Sequence, residues 1–447
     1  MRASMIKVLR RKVRASGGFT LKIVVVGAGI IGVTTAYELA ERGHQVTLLD
    51  KREGAGLETS YANGGQIGAS EVAPWAGPEV PGLVLRWLGR ADAPFRLRLK
   101  ADPDQWIWLM RFLTRCRASA RAQRILPNLA LALLTRARMD AIAAQTESES
   151  SPVAFDESRK GILQIFHHAH AFKEAAANIE TMRRAGLEQT MLSARECVDL
   201  EPALGPAFQK GEIAGGIHCP SDRSGDAQKF TVRLAAEVQR KGVAFIAGAE
   251  VTGFETRGDR ITGVRTRAWL FGADAVVLAA GVGTVRLAHM AGVRIPVYPV
   301  KGYSVTLPAA GDVAPRVSLT DEARKIVISR LGDRLRTAGT AEVGGYDTDL
   351  EMPRARSVLD ATVDLFPQMG EVAGSAEFWT GLRPMSSDGS PIIGQAGRFT
   401  NLYLNTGHGS LGWTLGAGSA AALADAICGT RPQLDLTPFG IKRFFLT

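Results

Sequence analysis

Long apolar runs are absent from this chain of 447 residues. No stretch reaches the roughly 18–20 apolar residues that a bilayer-spanning helix needs, so no segment is expected to cross a membrane. Cysteine is scarce: the four residues Cys116, Cys197, Cys219 and Cys428 stand far apart, with no CxxC pair and no metal-ligand spacing. A disulfide scaffold and a zinc site are thereby disfavoured, and a reducing, cytoplasmic location fits best. Histidine is scarce too, and its cluster His167, His168 and His170 lacks the carboxylate or cysteine partners of a metal site. It reads as a solvated strand end, and no metal is expected. Internal repeats and low-complexity segments are also missing.

Acidic residues are missing from the first 20 positions, which carry six basic ones: Arg2, Lys7, Arg10, Arg11, Lys12 and Arg14. No apolar core follows before the strand near Leu21, so this arm does not read as a secretory signal. A disordered extension is expected at 1–20, whether native or the product of a start codon placed too early. More than half of the net charge of +10 sits there. No basic patch comes with a nucleic-acid-binding motif, so nucleic acid is not an expected partner.

What is present is the composition of an ordinary globular protein, 46% hydrophobic and 22% charged, long enough for two to three domains or one interleaved enzyme fold. Trp87, Trp106 and Trp108 are interleaved with Arg86, Arg90, Arg96, Arg98, Lys100, Arg111, Arg115 and Arg117. That mixture suits either a solvated helix pair with tryptophans in a local core or the interface of an anionic membrane.

The most informative unit runs from Lys22 to Asp50. A strand, Ile23, Val24, Val25 and Val26, enters Gly27, Ala28, Gly29, Ile30, Ile31 and Gly32, a helical stretch follows, and a second strand ends at Asp50 and Lys51. Gly27 permits a tight turn, Gly29 admits a pyrophosphate close to the backbone, and Gly32 lets the helix pack on the strand. The helix start offers free N–H groups to phosphates. Asp50, about 20 residues past the first glycines, is placed to accept hydrogen bonds from a ribose hydroxyl.

Further along, Glu58 to Ile67 is a polar, glycine-rich loop holding Ser60, Asn63, Gly64, Gly65 and Gln66. Helical spacing covers Gln105 to Cys116 and Leu129 to Ile142, and a helix is expected from Phe172 to Ala185. A helix from Gln228 to Lys241, a strand near Ala244, a strand from Val251 and a hairpin through Arg257 to Arg260 restore α/β character. The apolar strand before Ala280 and Gly281 empties into glycines, as expected of a buried parallel strand whose end faces a ligand. Strands are expected at Tyr303 to Leu307, Lys325 to Ser329 and Arg334 to Gly339, with a helix near Arg354 to Leu365. Glycine-rich sequence returns at Trp379 to Gly394 and Leu402 to Gly418, so the cofactor half is discontinuous.

Four residues stand out chemically. Arg383, among turn formers, suits a carboxylate clamp because its planar fork makes two charge-assisted bonds. Gly407, His408, Gly409, Ser410, Leu411, Gly412 and Trp413 open a small-residue helix whose amides can stabilise negative charge. His408 reads equally as a donor near a ring or as a loop histidine. Tyr303 and Tyr346 are candidates to close over a substrate, and either also fits a core or rim position.

Taken together these segments resemble the FAD-dependent amino acid oxidoreductases of the D-amino acid oxidase type, and within them the bacterial D-amino acid dehydrogenases. The resemblance is carried by Val24 to Val33, Leu57 to Ile67, Ala73 to Ala76, Val297 to Ser304, Phe378 to Met385 and Leu404 to Thr414, in order over about 21–430. It implies an α/β fold: a discontinuous Rossmann-like FAD-binding domain (21–80, 186–296 and 379–430) and an antiparallel-sheet substrate domain with a helical insertion (81–185 and 297–378), then a tail at 431–447. It implies FAD along Ile23 to Tyr37, the flavin between the Gly29 turn, the Asn63 to Gln66 loop and the Gly407 to Gly412 helix start, and the substrate carboxylate on Arg383. The implied reaction is oxidative deamination of D-amino acids to 2-oxo acids and ammonia, with hydride passing from Cα to flavin N5 and no obligatory strong base. A quinone or respiratory-chain acceptor is implied, which strengthens the option of peripheral contact with the inner face of the cell membrane. The arm before Leu21 lies outside the family pattern, and Ala280 to Thr284 is less polar than expected. A D-proline or hydroxyproline dehydrogenase, a 2-hydroxy acid flavin oxidoreductase and a non-catalytic FAD-binding redox module stay open as alternatives.

Overall fold

Four β-branched residues in succession, Ile23 to Val26, offer water no polar face, and a computed structural model buries all four at the centre of a six-stranded sheet. The structure describes residues 20–87, 93–148, 152–309 and 314–445, so the arm expected at 1–20 lies outside it but for Thr20, as does Arg90. The strand order is Ile392–Gln395, Leu402–Thr406, Ala275–Leu278, Lys22–Val26, Gln45–Leu49, Ala244–Ile246. All neighbours run parallel except the Ile392–Gln395 edge. This is a doubly wound order, and its switch point lies between Lys22–Val26 and Ala275–Leu278, where ligands bind in open α/β sheets.

Side chains of the central strand alternate between two cores. Ile23 and Val25 pack with the helices Ile30–Glu41, Ala227–Arg240 and Gly412–Ile427, while Val24 and Val26 meet Val251, Ile261, Val264 and Leu287 on the other face. The three-stranded antiparallel sheet Val251–Arg257, Arg260–Thr266 and Leu270–Gly272 covers that second face. Gly412–Ile427 is rich in glycine and alanine because a second helix, Ala118–Ser148, lies directly on it: a Cβ at Gly418 would stand 2.5 Å from the Leu131 carbonyl. Buried Glu38 ties Ala118–Ser148 to Ile30–Glu41, accepting from Arg42 at 2.6 Å and from Arg138 at 2.9 and 3.1 Å.

A larger, mostly antiparallel sheet stands beside this unit. Its order is Glu377–Ser386, Val297–Pro308, Arg334–Val343, Ile326–Leu331, Ser318–Asp321, Ile162–Phe166, Gly215–Cys219, Thr190–Ser193, and Phe95–Leu97 adds to Arg334–Val343. The helix Met352–Leu365 packs on one face against Tyr303, Val305 and Leu307. Several expected boundaries move. Thr190–Ser193, Gly215–Cys219 and Glu377–Ser386, assigned to the cofactor half, pair into this sheet, because strand pairing joins segments by register rather than by chain distance. The insertion helix Ala118–Ser148 packs instead on the cofactor half. The helix expected over Phe172 to Ala185 is two, Ala169–Ala176 and Ile179–Arg184. The tail after 430 is docked, with Phe439 and Phe444 buried and Arg443 paired to Asp388 at 2.8 Å.

Among the described residues no helix is long and apolar enough to cross a membrane, and no group of histidine, cysteine and carboxylate side chains is arranged to hold a metal. Gly32 shows how tightly the central unit closes: a Cβ there would lie 1.7 Å from the Gly27 carbonyl oxygen. Gly32→Ala is therefore expected to cost about 1–3 kcal/mol, read as a lowered urea midpoint at unchanged slope. An unaltered midpoint would show that the turn relaxes freely.

Candidate functional site

The strand Lys22–Val26 delivers Gly27 at φ 109°, a conformation that only glycine adopts without strain, and a Cβ at this position would meet the Ala279 carbonyl oxygen at 2.5 Å. The chain is thus pinned between Gln45–Leu49 (Gly27 N to Leu49 O, 2.7 Å) and the end of Ala275–Leu278. Asp50 closes the turn, one carboxylate oxygen accepting from Ala28 N at 2.5 Å and the other from Arg52 N at 2.7 Å. Burial raises its pKa against the pull of those two amides. Ser60 Oγ accepts from Ile30 N at 3.0 Å, fixing the polar loop on the helix start.

A cavity of about 1290 Å³ begins here, larger than the roughly 300–1,000 Å³ of an ordinary small-molecule site. Of the expected cofactor residues, Val26, Gly27, Gly29, Ile30, Ile31, Asp50, Lys51, Ser60, Val251, Ala280 and Gly281 line it. Ile23, Val24, Val25, Ala28, Gly32 and Gly407 do not; they support the residues that do, since strand alternation and close helix packing turn them inward.

The cavity then passes between two loops. On one side are Asn63, Gly64, Gly65 and Gln66: Asn63 Oδ1 accepts from Gly65 N at 3.0 Å, and the Gln66 amide donates to Ser318 Oγ, Leu319 O and Thr320 Oγ1 at 3.1–3.2 Å. On the other side are Gly409, Ser410, Leu411, Gly412 and Trp413, ahead of the helix Gly412–Ile427. Thr414 Oγ1 joins the two by accepting from Gly68 N at 3.2 Å. A long slot with a glycine turn and an acid at one end and two polar loops at the other suits FAD. The residues present fit that group.

Arg383 lies at the far end. Its strand, Glu377–Ser386, pairs with Val297–Pro308, and Arg383 stands opposite Val300 while Gly381 stands opposite Gly302. A Cβ at Gly302 would be 2.2 Å from Arg383 Nη1, so the guanidinium rests on that glycine. Its hydrogen-bond partners are carbonyl oxygens: Thr340 at 2.9 Å and Gly339 at 3.4 Å. Both are turned toward it by a bulge, since Lys301 pairs with Glu342 but Tyr303 with Gly339, and Thr340 takes φ 57°. Burial lowers the Arg383 pKa to about 10, which leaves it cationic at neutral pH. The other cations of the wall have acids of their own: Lys51 and Arg52 with Glu58, Arg121 with Glu79, Arg286 with Glu250 and Lys325 with Glu322. Arg383, half-buried on the cavity wall, has no such acid among the described residues, and an unpaired cation of this kind suits a carboxylate.

The two expected tyrosines fare differently. Tyr303 is among the residues that line the cavity, yet its ring turns to the opposite face of its strand from Arg383, 1% exposed in the core over Met352–Leu365, because odd and even positions of a strand face opposite ways. Tyr346 is 48% exposed, packs edge-on to Tyr298 and does not line the cavity. His167 bonds Asp321 at 3.1 Å, while His168 and His170 are exposed. Of the tryptophans, Trp108 is buried, donating to Met385 O at 2.8 Å, and Trp106 is exposed. Sequence reasoning missed Gly302 and the Thr340 bulge, and assigned no role to Tyr61, Trp75 or Trp379. A glycine inside the strand signal Lys301-Gly302-Tyr303 marks a close approach; the bulge has no local signal.

A family model for FAD dependent oxidoreductases, DAO, matches residues 22–426. D-amino acid dehydrogenase from Paramagnetospirillum magneticum is 45% identical over 426 residues, 95% of this chain and 99% of that protein. The protein of the same name from Dechloromonas aromatica is 44% identical over 94% and 99%. Glycine oxidase from Geobacillus kaustophilus superposes with a TM-score of 0.75 at 23% identity over 95% of this chain and 99% of its own. L-proline dehydrogenase from P. horikoshii gives 0.71 at 19% over 96% and 98%. At those identities the structural likeness speaks for the fold.

His408 lines the slot beside Gly409 and is buried. Ser419 Oγ donates to Gly416 O at 2.9 Å, so it accepts from His408 Nε2 at 3.0 Å, and Nδ1 is left without a partner. Burial lowers the His408 pKa to about 3, which makes it neutral at working pH. The unfolded histidine takes a proton below about pH 6.5 while the folded one resists it, so stability is lost as pH falls through that value toward 3. Comparing melts at pH 7 and pH 5, His408→Gln is expected to show a shallower loss than the parent; an identical loss would contradict the neutral, buried assignment.

Proposed function

The chain belongs to the DAO family of FAD-dependent oxidoreductases, and on that premise we propose that it deaminates D-amino acids of the D-alanine type to 2-oxo acids and ammonia. The observation that carries the reading is Arg383, a cation without an acid, at the end of the same slot that begins at Gly27. The extensive identity to proteins named D-amino acid dehydrogenase supports it. When bound, FAD supplies the acceptor for the hydride that leaves the substrate Cα.

The chain's own part is orientation and electrostatics. Arg383 fixes the substrate carboxylate, and the carbonyls of Gly339 and Thr340 fix Arg383. Neutral His408 adds no charge beside the slot, and among the described residues no acid beside Arg383 competes for the guanidinium. The Gln66 amide, held by Ser318, Leu319 and Thr320, keeps the Asn63–Gln66 loop rigid against the cofactor. A strong general base is not required when the neutral amine assists departure of the Cα hydrogen as hydride.

Electrons then pass to a quinone or another respiratory acceptor in this reading, at the inner face of the cell membrane. Support comes from Val80–Trp87 and Pro103–Arg115, whose Leu83, Val84, Trp87 and Phe112 line the cavity. The outer sides of the same helices expose Leu85, Trp106, Ile107, Met110 and Leu113, with Arg86 and Arg111 near them. Apolar surface inside and outside the same helices suits an apolar acceptor delivered from a lipid surface.

Two measurements test these points. Arg383→Ala should lower kcat/KM for D-alanine by roughly 10- to 150-fold, the value of a charge-assisted hydrogen bond, chiefly through KM; an unchanged KM would remove its assigned role. The pair Met110→Glu and Leu113→Glu should reduce co-sedimentation with anionic phospholipid vesicles, and equal sedimentation of parent and variant would contradict the membrane reading.

A further inference from the structure

Arg383 is not alone on its glycine. Trp379, Gly381 and Arg383 alternate onto one face of Glu377–Ser386, and a Cβ at Gly381 would stand 2.0 Å from Trp379 Cη2, so the indole folds back along the strand toward Arg383. Gly381 and Gly302 are directly opposed in register. Residues so opposed have Cβ positions about 4.5–5.5 Å apart, so the indole over one glycine and the guanidinium over the other lie side by side on a floor without side chains. Two further rings stand close to this pair. Tyr61 approaches Trp379 with ring centroids 6.2 Å apart, and Trp75 stands 5.6 Å from the Arg383 guanidinium carbon. Thr59, bonded to the Leu382 carbonyl at 2.7 Å, ties the Tyr61 loop to the strand that carries Trp379.

The geometry points to Trp379 as a specificity-determining residue: its indole, with Trp75 across the cavity wall and Tyr61 behind it, forms the compartment for the substrate's side chain and favours apolar and aromatic side chains over acidic ones. This rests on the reading of Arg383 as the clamp for the α-carboxylate. A carboxylate on Arg383 has its Cα one bond away, which lays the side chain over the neighbouring indole. The face of an indole carries negative potential, which attracts aromatic edges and apolar groups and repels a second carboxylate. The cation that such a carboxylate would need is already engaged by the α-carboxylate. An apolar side chain gains from burial against the two indoles instead.

The test uses the FAD-loaded protein and two unreactive carboxylates, acetate and phenylacetate, with binding read from the shift of the flavin absorbance. Arg383→Ala should weaken both ligands at least tenfold. Trp379→Ala should raise the Kd of phenylacetate about tenfold and that of acetate less than twofold, and Trp379→Phe should restore most of the phenylacetate affinity. In turnover, Trp379→Ala should narrow the ratio of kcat/KM between D-phenylalanine and D-aspartate. If Arg383→Ala weakens both ligands but Trp379→Ala and Trp379→Phe shift them equally, the compartment is wrong and the clamp stands. If Arg383→Ala leaves acetate binding unchanged, the clamp itself fails and this inference with it.

Discussion

A half-buried guanidinium without a counter-charge among the described residues is the constraint around which the substrate end of this molecule is arranged. Removing an unpaired cation from water is costly, and the half-buried Arg383 side chain is held in place on the cavity wall by carbonyl dipoles and the Trp75 ring instead of by an acid. The fold sustains this because Arg383 sits at the centre of a strand paired along ten positions, from Thr306 with Glu377 to Val297 with Ser386. A ligand carboxylate relieves the imbalance.

Other features follow from that arrangement. The bulge at Thr340 turns two carbonyls to the guanidinium, and Gly302 gives it room. Opposite the bulge, the polar loop from Ser60 to Gln66 spans both halves, held to the nucleotide unit through Ile30 N and to the large sheet through Gln66. The two sheets are therefore coupled through the loop that lies between the cofactor and substrate ends of the slot. Glu38 and the Gly418 contact lock the insertion helix onto the nucleotide half, so the wall that faces solvent is anchored to the same core.

The nucleotide cradle was readable because its signals are local: Gly27, Gly29, Gly32 and Asp50 stand within one strand–helix–strand unit, and the structure places them around one turn. Arg383 was readable by residue type, yet its surroundings were expected to be a loop and form a strand. For Tyr303 the sequence left substrate contact and core both open, because the face its ring occupies depends on the register between Val297–Pro308 and Glu377–Ser386, which neither segment encodes alone. The strands at 190–219 were assigned to the wrong half for the same reason. Trp106 and Trp108 looked alike in a basic stretch; helical phase puts one in water and the other against Tyr298 and Phe112. Non-local pairing decided the strand assignments and helical phase the two tryptophans.

The central claim is that this slot brings an amino acid's Cα hydrogen to a bound flavin with its carboxylate on Arg383. Anaerobic mixing of the FAD-loaded protein with D-alanine, L-alanine and D-lactate, followed by flavin absorbance, tests it most directly. The account predicts bleaching by D-alanine and none by the other two. Bleaching by D-lactate alone, or by no D-amino acid at all, would contradict it.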